Sequence, residues 1–455
     1  MLLFFLLNTT IPIDSPLNTV IYYLQTRGFA RIQTIKPFEI DDIVPEIDTL
    51  VFLDEKLNPI DRNFVSLFSP LLVKSNDFYT VINVDAENQN FKDFYGNLNL
   101  QLSGRITNHI SFGEAIRFHF GTQIDSTGPK PWKDIVQAYL NEGFLKVANK
   151  NAEFILGRRN LLIGFGDAYS LILSPAKQGY DGFLLTYDGR YYEFSSTFSV
   201  LDIKKLRFIS THRLGLNLHN FKLGFCESIL WVDELEPLYL NFFLPYYLSQ
   251  WGIDRNDNIM WCLDGSFNIS NTTVFGEFLI DDYQFSEPPP GYTEYPHKLG
   301  FQCGIKNIMF EKLFFDLGYT FVDKWVYTHQ IPENIYENDS LCLGFPLGND
   351  VDQVTCAVRF FNRTKIFPKM RFEFTRKGQG SLFLPYETER GPAYPEFPSG
   401  IVEKSITITP GIEFYVSPRF FLNIEAGKKF INNFGHIPNS DKNENIINLW
   451  LWFMF

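Results

Sequence analysis

Apolar and polar side chains alternate at period two along most of this chain. Leu98, Leu100 and Leu102 face away from Asn97, Asn99, Gln101 and Ser103, and Ile116, Phe118 and Phe120 face away from Arg117 and His119. Leu214, Leu216 and Leu218 oppose Arg213, Gly215 and Asn217; a His219-Asn220 turn then leads into Phe221, Leu223 and Phe225 opposite Lys222 and Gly224. Leu313, Phe315, Leu317, Tyr319 and Phe321 form the cleanest series, against Asp316, Gly318 and Thr320. Leu422, Ile424 and Ala426 oppose Asn423, Glu425 and Gly427, and the chain closes on Ile447, Leu449, Leu451, Phe453 and Phe455 opposite Asn448, Trp450, Trp452 and Met454. Successive side chains on a strand point to opposite faces. About eighteen such segments occur, at lengths near the 9–11 residues that a tilted membrane strand requires.

A stack of soluble sandwiches would need linkers, and the sequence has no Ser/Gly-rich or Pro-rich hinge between these segments. In lipid every backbone polar group must be paired, so strands can span only as a closed barrel. The expectation is an all-β membrane barrel of about eighteen antiparallel strands over residues 77–455, in the bacterial outer membrane, with the Leu313–Phe321 series facing lipid. The terminal aromatic strand resembles the C-terminal signature that the barrel insertion machinery of bacterial outer membranes reads.

Residues 13–76 differ. Ser15-Pro16 supplies cap chemistry for a helix through Val20, Tyr23 and Leu24, ended by Gly28. Phe38, Ile40 and Ile43 fit a second short helix after Pro37, and Phe64, Val65 and Phe68 stripe a third after Asn58-Pro59. Such stripes need covering: a periplasmic helical cap or plug on the barrel is one arrangement, a flexible recruitment domain another. Residues 1–12 form a partial signal-like segment, with an apolar run at Leu2–Leu7 and no basic start.

Short turns such as His219-Asn220 are expected at the periplasmic rim. The extracellular rim should carry the irregular connections Ser126–Trp132, Leu235–Asn256, Glu287–Pro296, Thr328–Asp352 and Gly378–Gly400. Within them, Tyr239–Trp251 fits a short amphipathic helix folded into the mouth.

Composition narrows the function. Aromatics make up 17% of the chain, with 48 Phe and 22 Tyr, an excess that suits strands and interfacial girdles. The net charge of −12, without a long Lys/Arg run, argues against nucleic acid as a partner. Cys226, Cys262, Cys303, Cys342 and Cys356 lack CxxC spacing and suggest neither a zinc site nor a disulfide framework. No metal and no cofactor are expected. The seven histidines occur singly, with no HExxH and no GxSxG motif.

An ordered set of stretches resembles a known family. These are Gly157-Arg-Arg-Asn-Leu-Leu-Ile-Gly-Phe-Gly166 with its continuation to Ser174, Arg207–Glu227, Phe275–Asp282, and Leu343-Gly-Phe-Pro-Leu-Gly-Asn-Asp350. With the N-terminal Ser-Pro helix, their order resembles the Wzi-like capsule assembly proteins of the outer membrane, over most of the chain. The resemblance implies an eighteen-stranded barrel occluded by a helical bundle and inward loops. It also implies a non-catalytic, lectin-like role in holding capsular or other surface polysaccharide, with outer-membrane lipid around the barrel. A porin or solute channel is the alternative, and an outer-membrane hydrolase trails both.

Candidate ligand residues follow from side-chain chemistry. Arg158 and Arg159 are adjacent, so they point to opposite sides; the lumenal one suits an acidic sugar or a salt bridge with Asp281 or Asp282. Arg213 falls in the lumen. Asp281 and Asp282, with Glu277 and Glu227, are the carboxylates that a glycosidase pair would need, or ordinary lumenal pairing residues. Trp231, Trp251, Trp261 and Trp325 offer faces to sugars or mark the membrane interface. The ligand-binding candidates are Arg158, Arg213, Glu227, Trp231, Trp261, Asp281 and Asp282, and none is assigned a catalytic role.

Overall fold

The alternating segments pair in chain order into one closed antiparallel barrel of eighteen strands. The computed structural model describes residues 10–11, 35–36, 38–39, 79–89, 93–107, 109–121, 128–218, 220–269, 272–284, 287–289, 291–310, 312–361, 365–417 and 420–454. The strands are β1 (Tyr79–Gln89), β2 (Asp93–Thr107), β3 (Ile110–Gly121), β4 (Val136–Ala148), β5 (Ala152–Arg159) and β6 (Tyr180–Asp188). They continue with β7 (Tyr192–Asp202), β8 (Arg207–Leu218), β9 (Phe221–Trp231), β10 (Asn258–Ile269), β11 (Thr272–Asp282) and β12 (Lys298–Phe310). The last six are β13 (Leu313–Val322), β14 (Val351–Phe360), β15 (Ile366–Lys377), β16 (Glu403–Ser417), β17 (Phe420–Asn432) and β18 (Lys442–Met454). β18 pairs with β1 from Ile446↔Gln89 to Met454↔Val81, which leaves no open edge in hydrocarbon.

The connections divide by rim. At one rim lie the connections 149–151 and 189–191 and the strand ends at Thr107, Leu218, Ile269, Phe310, Phe360 and Ser417, with the start of β1 and the end of β18. At the other lie the strand ends at Gln89 and Gly121 and the described residues of 128–135, 160–179, 203–206, 232–257, 291–297, 323–350, 378–402 and 433–441. The described residues of all five irregular connections read from the sequence fall at this second, long-loop rim.

The two faces follow the alternation. Leu214, Leu216, Leu218, Phe221, Leu223, Phe225 and Leu317 are exposed on the outer wall, whereas Arg213, Asn217, Lys222 and Thr320 are buried on the lumenal side. No helix of the described residues is long and apolar enough to cross a membrane.

One stretch of wall departs from alternation. Every residue from Cys226 to Trp231 is buried, which requires cover on both faces. On the lumenal face, Ile209, Leu230, Met260, Leu279 and Val322 join Leu161, Ile163, Leu171–Leu173, Tyr327, Tyr336, Leu343 and Phe345 in one core. Two connections, 160–179 and 323–350, therefore fold into the barrel and share a hydrophobic core with its inner wall.

On the outer face the cover is the connection 232–257. Its helix α1 (Tyr246–Ile253) lies against the outside of the barrel, where Tyr239 and Tyr246 pack on Phe208, Ile229 and Trp231. The expected helix is therefore real, but it sits on the outer wall and not in the mouth.

The three N-terminal helices and the apolar run Leu2–Leu7 lie outside the described residues, except that Phe38–Glu39 forms a strand with Thr10–Ile11 where a second helix was expected. Ile35–Lys36 pairs with Leu162–Ile163 of the inward loop.

Candidate functional site

The inward loop is held to the wall above all by one buried carboxylate. Glu277, buried near the middle of β11, accepts hydrogen bonds from Phe165 N at 2.9 Å, Gly166 N at 3.3 Å and Leu171 N at 2.9 Å, and from Ser170 Oγ at 3.0 Å. The approach is close: Gly164 has φ +138°, and a Cβ there would fall 2.4 Å from Glu277 Oε1. Only glycine suits both constraints. The loop is pinned from the far side as well, by Tyr327 Oη donating to Leu171 O at 2.7 Å and Tyr336 Oη donating to Ile172 O at 2.6 Å. Lys306 donates to Phe165 O at 2.6 Å and pairs with Asp167, while Lys36 of the N-terminal segment donates to Gly166 O. N-terminal segment, inward loop and wall are thus one bonded unit.

Arg213 lies beside this site, since its partner Asp264 on β10 is paired with Glu277 on β11. Its guanidinium forks onto Asp264, with Nε–Oδ2 and Nη2–Oδ1 both at 2.7 Å, and also reaches Glu193, which Lys222 approaches at 2.8 Å. Gly224 leaves it room, since a Cβ there would fall 2.3 Å from Nη2. The fork is fully engaged within the protein.

The other sequence candidates scatter. Arg159 is the lumenal arginine, over the Phe144 ring at 4.9 Å. Arg158 points outward beside the exposed Leu156 and pairs with Asp181 on β6, with Nε–Oδ1 at 2.7 Å, so neither arginine meets Asp281 or Asp282. Asp281 accepts from Tyr327 N and so anchors the second inward loop. Asp282 ends β11 at the long-loop rim, opposite Lys298.

Glu227, Trp231 and Trp261 come together on the outer wall. Glu227 accepts from Tyr246 N at 2.7 Å, Tyr247 N at 2.9 Å and Trp261 Nε1 at 2.9 Å, with His212 Nε2 at 3.2 Å. Glu277 is lumenal, so these two carboxylates stand on opposite faces of the wall. Among the described residues no three His, Cys, Asp or Glu are placed to hold a metal, and the five cysteines are free thiols.

Two features of the long-loop rim escaped sequence reasoning. The first is a polar cleft of about 510 Å³ lined by Asp181, Asp202, Lys204, Lys205, Arg207 and Glu337, among others. Arg207 shapes it by donating to Glu333 O at 2.8 Å and Ile335 O at 3.0 Å. The second is an aromatic shelf where the connections 283–297 and 378–402 interlock. Buried Trp325 donates to Ala393 O at 2.9 Å, and Tyr386 donates to Glu294 O at 2.9 Å. Above them Tyr283 stacks on His297 at 4.2 Å and 11°, and Tyr394 lies 5.9 Å from the same ring. Tyr283 and Tyr394 are exposed.

No protein-family model matches the chain, and no curated protein sequence does either. Among solved structures, Wzi from Escherichia coli, described as an outer membrane protein involved in group 1 capsule assembly and a carbohydrate-binding β-barrel, matches with a TM-score of 0.68 at 15% identity. The match covers 99% of both chains. OprD and OccK3 from Pseudomonas aeruginosa match with TM-scores of 0.47 and 0.49 at 11% and 10% identity, each over 83% of this chain and over 93% and 96% of their own. The fold of this chain is that of an outer-membrane β-barrel, and over its whole length it is similar to that of Wzi.

Proposed function

We infer that this barrel holds capsular or other surface polysaccharide at the extracellular, long-loop rim and does not transform it. The observation that carries the reading is the occlusion: two inward loops share one core with the wall and are bonded to it at Glu277 and Asp281. A solute channel has no use for a lumen filled in this way, whereas a surface that must present fixed contacts gains from rigid loops. Residues 13–76 complete the plug from the periplasmic side, a placement supported by Ile35–Lys36 pairing inside the barrel. The carboxylates that a hydrolase would need are committed elsewhere, Glu277 to the loop, Asp281 to Tyr327 N and Glu227 to α1.

For ligand contact, the rim offers the face of Tyr283, the exposed Tyr394, and the mixed-charge cleft beside Arg158 and Asp181. Aromatic faces accept the C–H side of a pyranose, and short-range ion pairs and hydrogen bonds select its substituents. Asp282 lies beside Tyr283, within this surface. Glycan binding by the refolded protein should weaken in Tyr283→Ala/Tyr394→Ala, and liposomes carrying the intact protein should swell slowly. Porin-like swelling together with no glycan retention would replace this reading with the channel.

A further inference from the structure

The connection 232–257 raises a question that polysaccharide binding leaves open: why a loop from the extracellular rim folds back down the lipid-facing wall. The wall beneath it is unusually polar for that face, with Ser196, Ser210, His212 and Glu227 in line with the exposed Leu214, Leu223 and Phe225. The loop removes this polarity from view. Its backbone N–H groups at Tyr246 and Tyr247 bond the Glu227 carboxylate, and the Tyr246 ring lies 4.3 Å from His212.

What the loop presents in exchange is apolar. From Leu238 to Ile253 the chain carries no charged side chain, although 20% of its residues are charged overall. Tyr239 and Tyr246 face the wall, while Phe243, Leu248 and Trp251 turn outward at 81%, 59% and 75% exposure, with Leu244 and Tyr247 beside them. A helix apolar on both sides fits an element with protein on one side and hydrocarbon on the other. Phe243 stacks on Phe194 of the outer wall at 5.9 Å, and Tyr247 meets Trp261 at 5.3 Å, whose ring lies 6.5 Å from the exposed Phe225, so the apolar band continues from the loop onto the wall.

Depth agrees. Tyr246 meets β9 at Glu227, four residues below its end at Trp231, which at the strand rise is on the order of 10 Å below the rim. An interfacial helix buries its apolar face by about 5–10 Å. Charge returns where the chain climbs back out: Arg255 bonds Val232 O at 2.8 Å and Asp257 Oδ2 at 2.9 Å.

We propose that residues 238–253 are a lipid-inserted flap whose outward face contacts the acyl chains of the outer leaflet and anchors this side of the rim in the membrane. The leaflet follows from the orientation argued above; the insertion does not depend on it.

The test uses the full chain folded into bilayers and a Trp251→Phe variant, whose difference from the parent isolates the Trp251 emission. In bilayers with acyl-chain-brominated phospholipid that emission should fall by about two-fold or more, as contact at this depth requires, while aqueous iodide leaves it unchanged. Quenching by iodide alone would place the flap in water. Protection from both would place it against protein, a second copy included. Either result overturns the proposal. Glycan binding should be equal in the two proteins, so failure of the flap and failure of the polysaccharide reading are separable.

Discussion

Removing the Glu277 carboxylate should free the inward loop without opening the barrel wall. In Glu277→Ala three backbone donors, at Phe165, Gly166 and Leu171, and the Ser170 hydroxyl lose their acceptor inside a closed lumen. An orphaned buried donor costs about 1–3 kcal/mol, so three backbone donors set a ceiling of about 9 kcal/mol. The alanine leaves space beside polar groups that water can enter, which brings the expected loss down to about 3 kcal/mol. Glu277→Gln is the informative companion. Its carbonyl oxygen retains the bonds at Phe165 and Gly166, while its amide nitrogen faces the Leu171 donor, so about half the loss should remain. Hydrogen exchange at residues 165–171, in protein folded into bilayers, reads the loop directly, and urea unfolding reads the whole. Exchange should accelerate in the order parent, Gln, Ala, with the wall amides of β10 and β12 unchanged. Equal protection in all three proteins would show that the carboxylate does not hold the loop.

Four further outcomes are expected. Leu449→Arg should cost about 2–4 kcal/mol of bilayer folding stability if it lies near the midplane, and Asn448→Arg, placed beside Glu425 in the lumen, much less; equal costs would reverse the faces. Arg213→Met should cost about 3–5 kcal/mol by stranding the buried Asp264, and adding Asp264→Asn should recover part of it in urea titrations. Burial, with the Lys298 ammonium next, pushes His329 down to about 4, and its Nδ1 accepts from Ile331 N at 3.1 Å, so the neutral ring is the one held in place. The second inward loop should therefore keep full stability above about pH 6.5 and lose it as pH falls toward 4, seen as faster exchange at residues 326–336. Deleting residues 13–72, which removes Lys36 and its bonds to the inward loop, should raise single-channel conductance while glycan binding survives.

The barrel was legible because its signal is repeated: each strand carries its own inside and outside, and closure follows from what lipid forbids. The flap was misplaced for a physical reason. A charge-free stretch such as Leu238–Ile253 suits a protein interior and a lipid surface equally, and periodicity does not say which side of a wall it covers. Glu227 through Trp231 carried a usable hint, since a strand that stops alternating is covered on both faces. Arg158 and Arg159 were separable in principle by counting from the exposed Phe154 and Leu156, which assigns Arg159 to the lumen. The Glu277 tether had no sequence signature. Its partners are backbone N–H groups more than a hundred residues away, which any sequence supplies.

The distribution of these bonds bears on what the barrel does. A gate needs an element with two arrangements of similar free energy. Here the inward loop is bonded to β11 through Glu277, to β12 through Lys306, to the second loop through the Tyr327 and Tyr336 hydroxyls, and to the N-terminal segment through Lys36 and the Ile35–Ile163 pairing. Opening a path past it would break these attachments together and expose Leu171, Ile172 and Leu173 to water. The same attachments fix the floor beneath the long-loop connections, and the proposed lipid flap would fix their edge. On the polysaccharide reading proposed above, such a barrel trades permeation for a rim whose geometry is set before any ligand arrives, which is what a surface that retains a long polymer by many weak contacts requires.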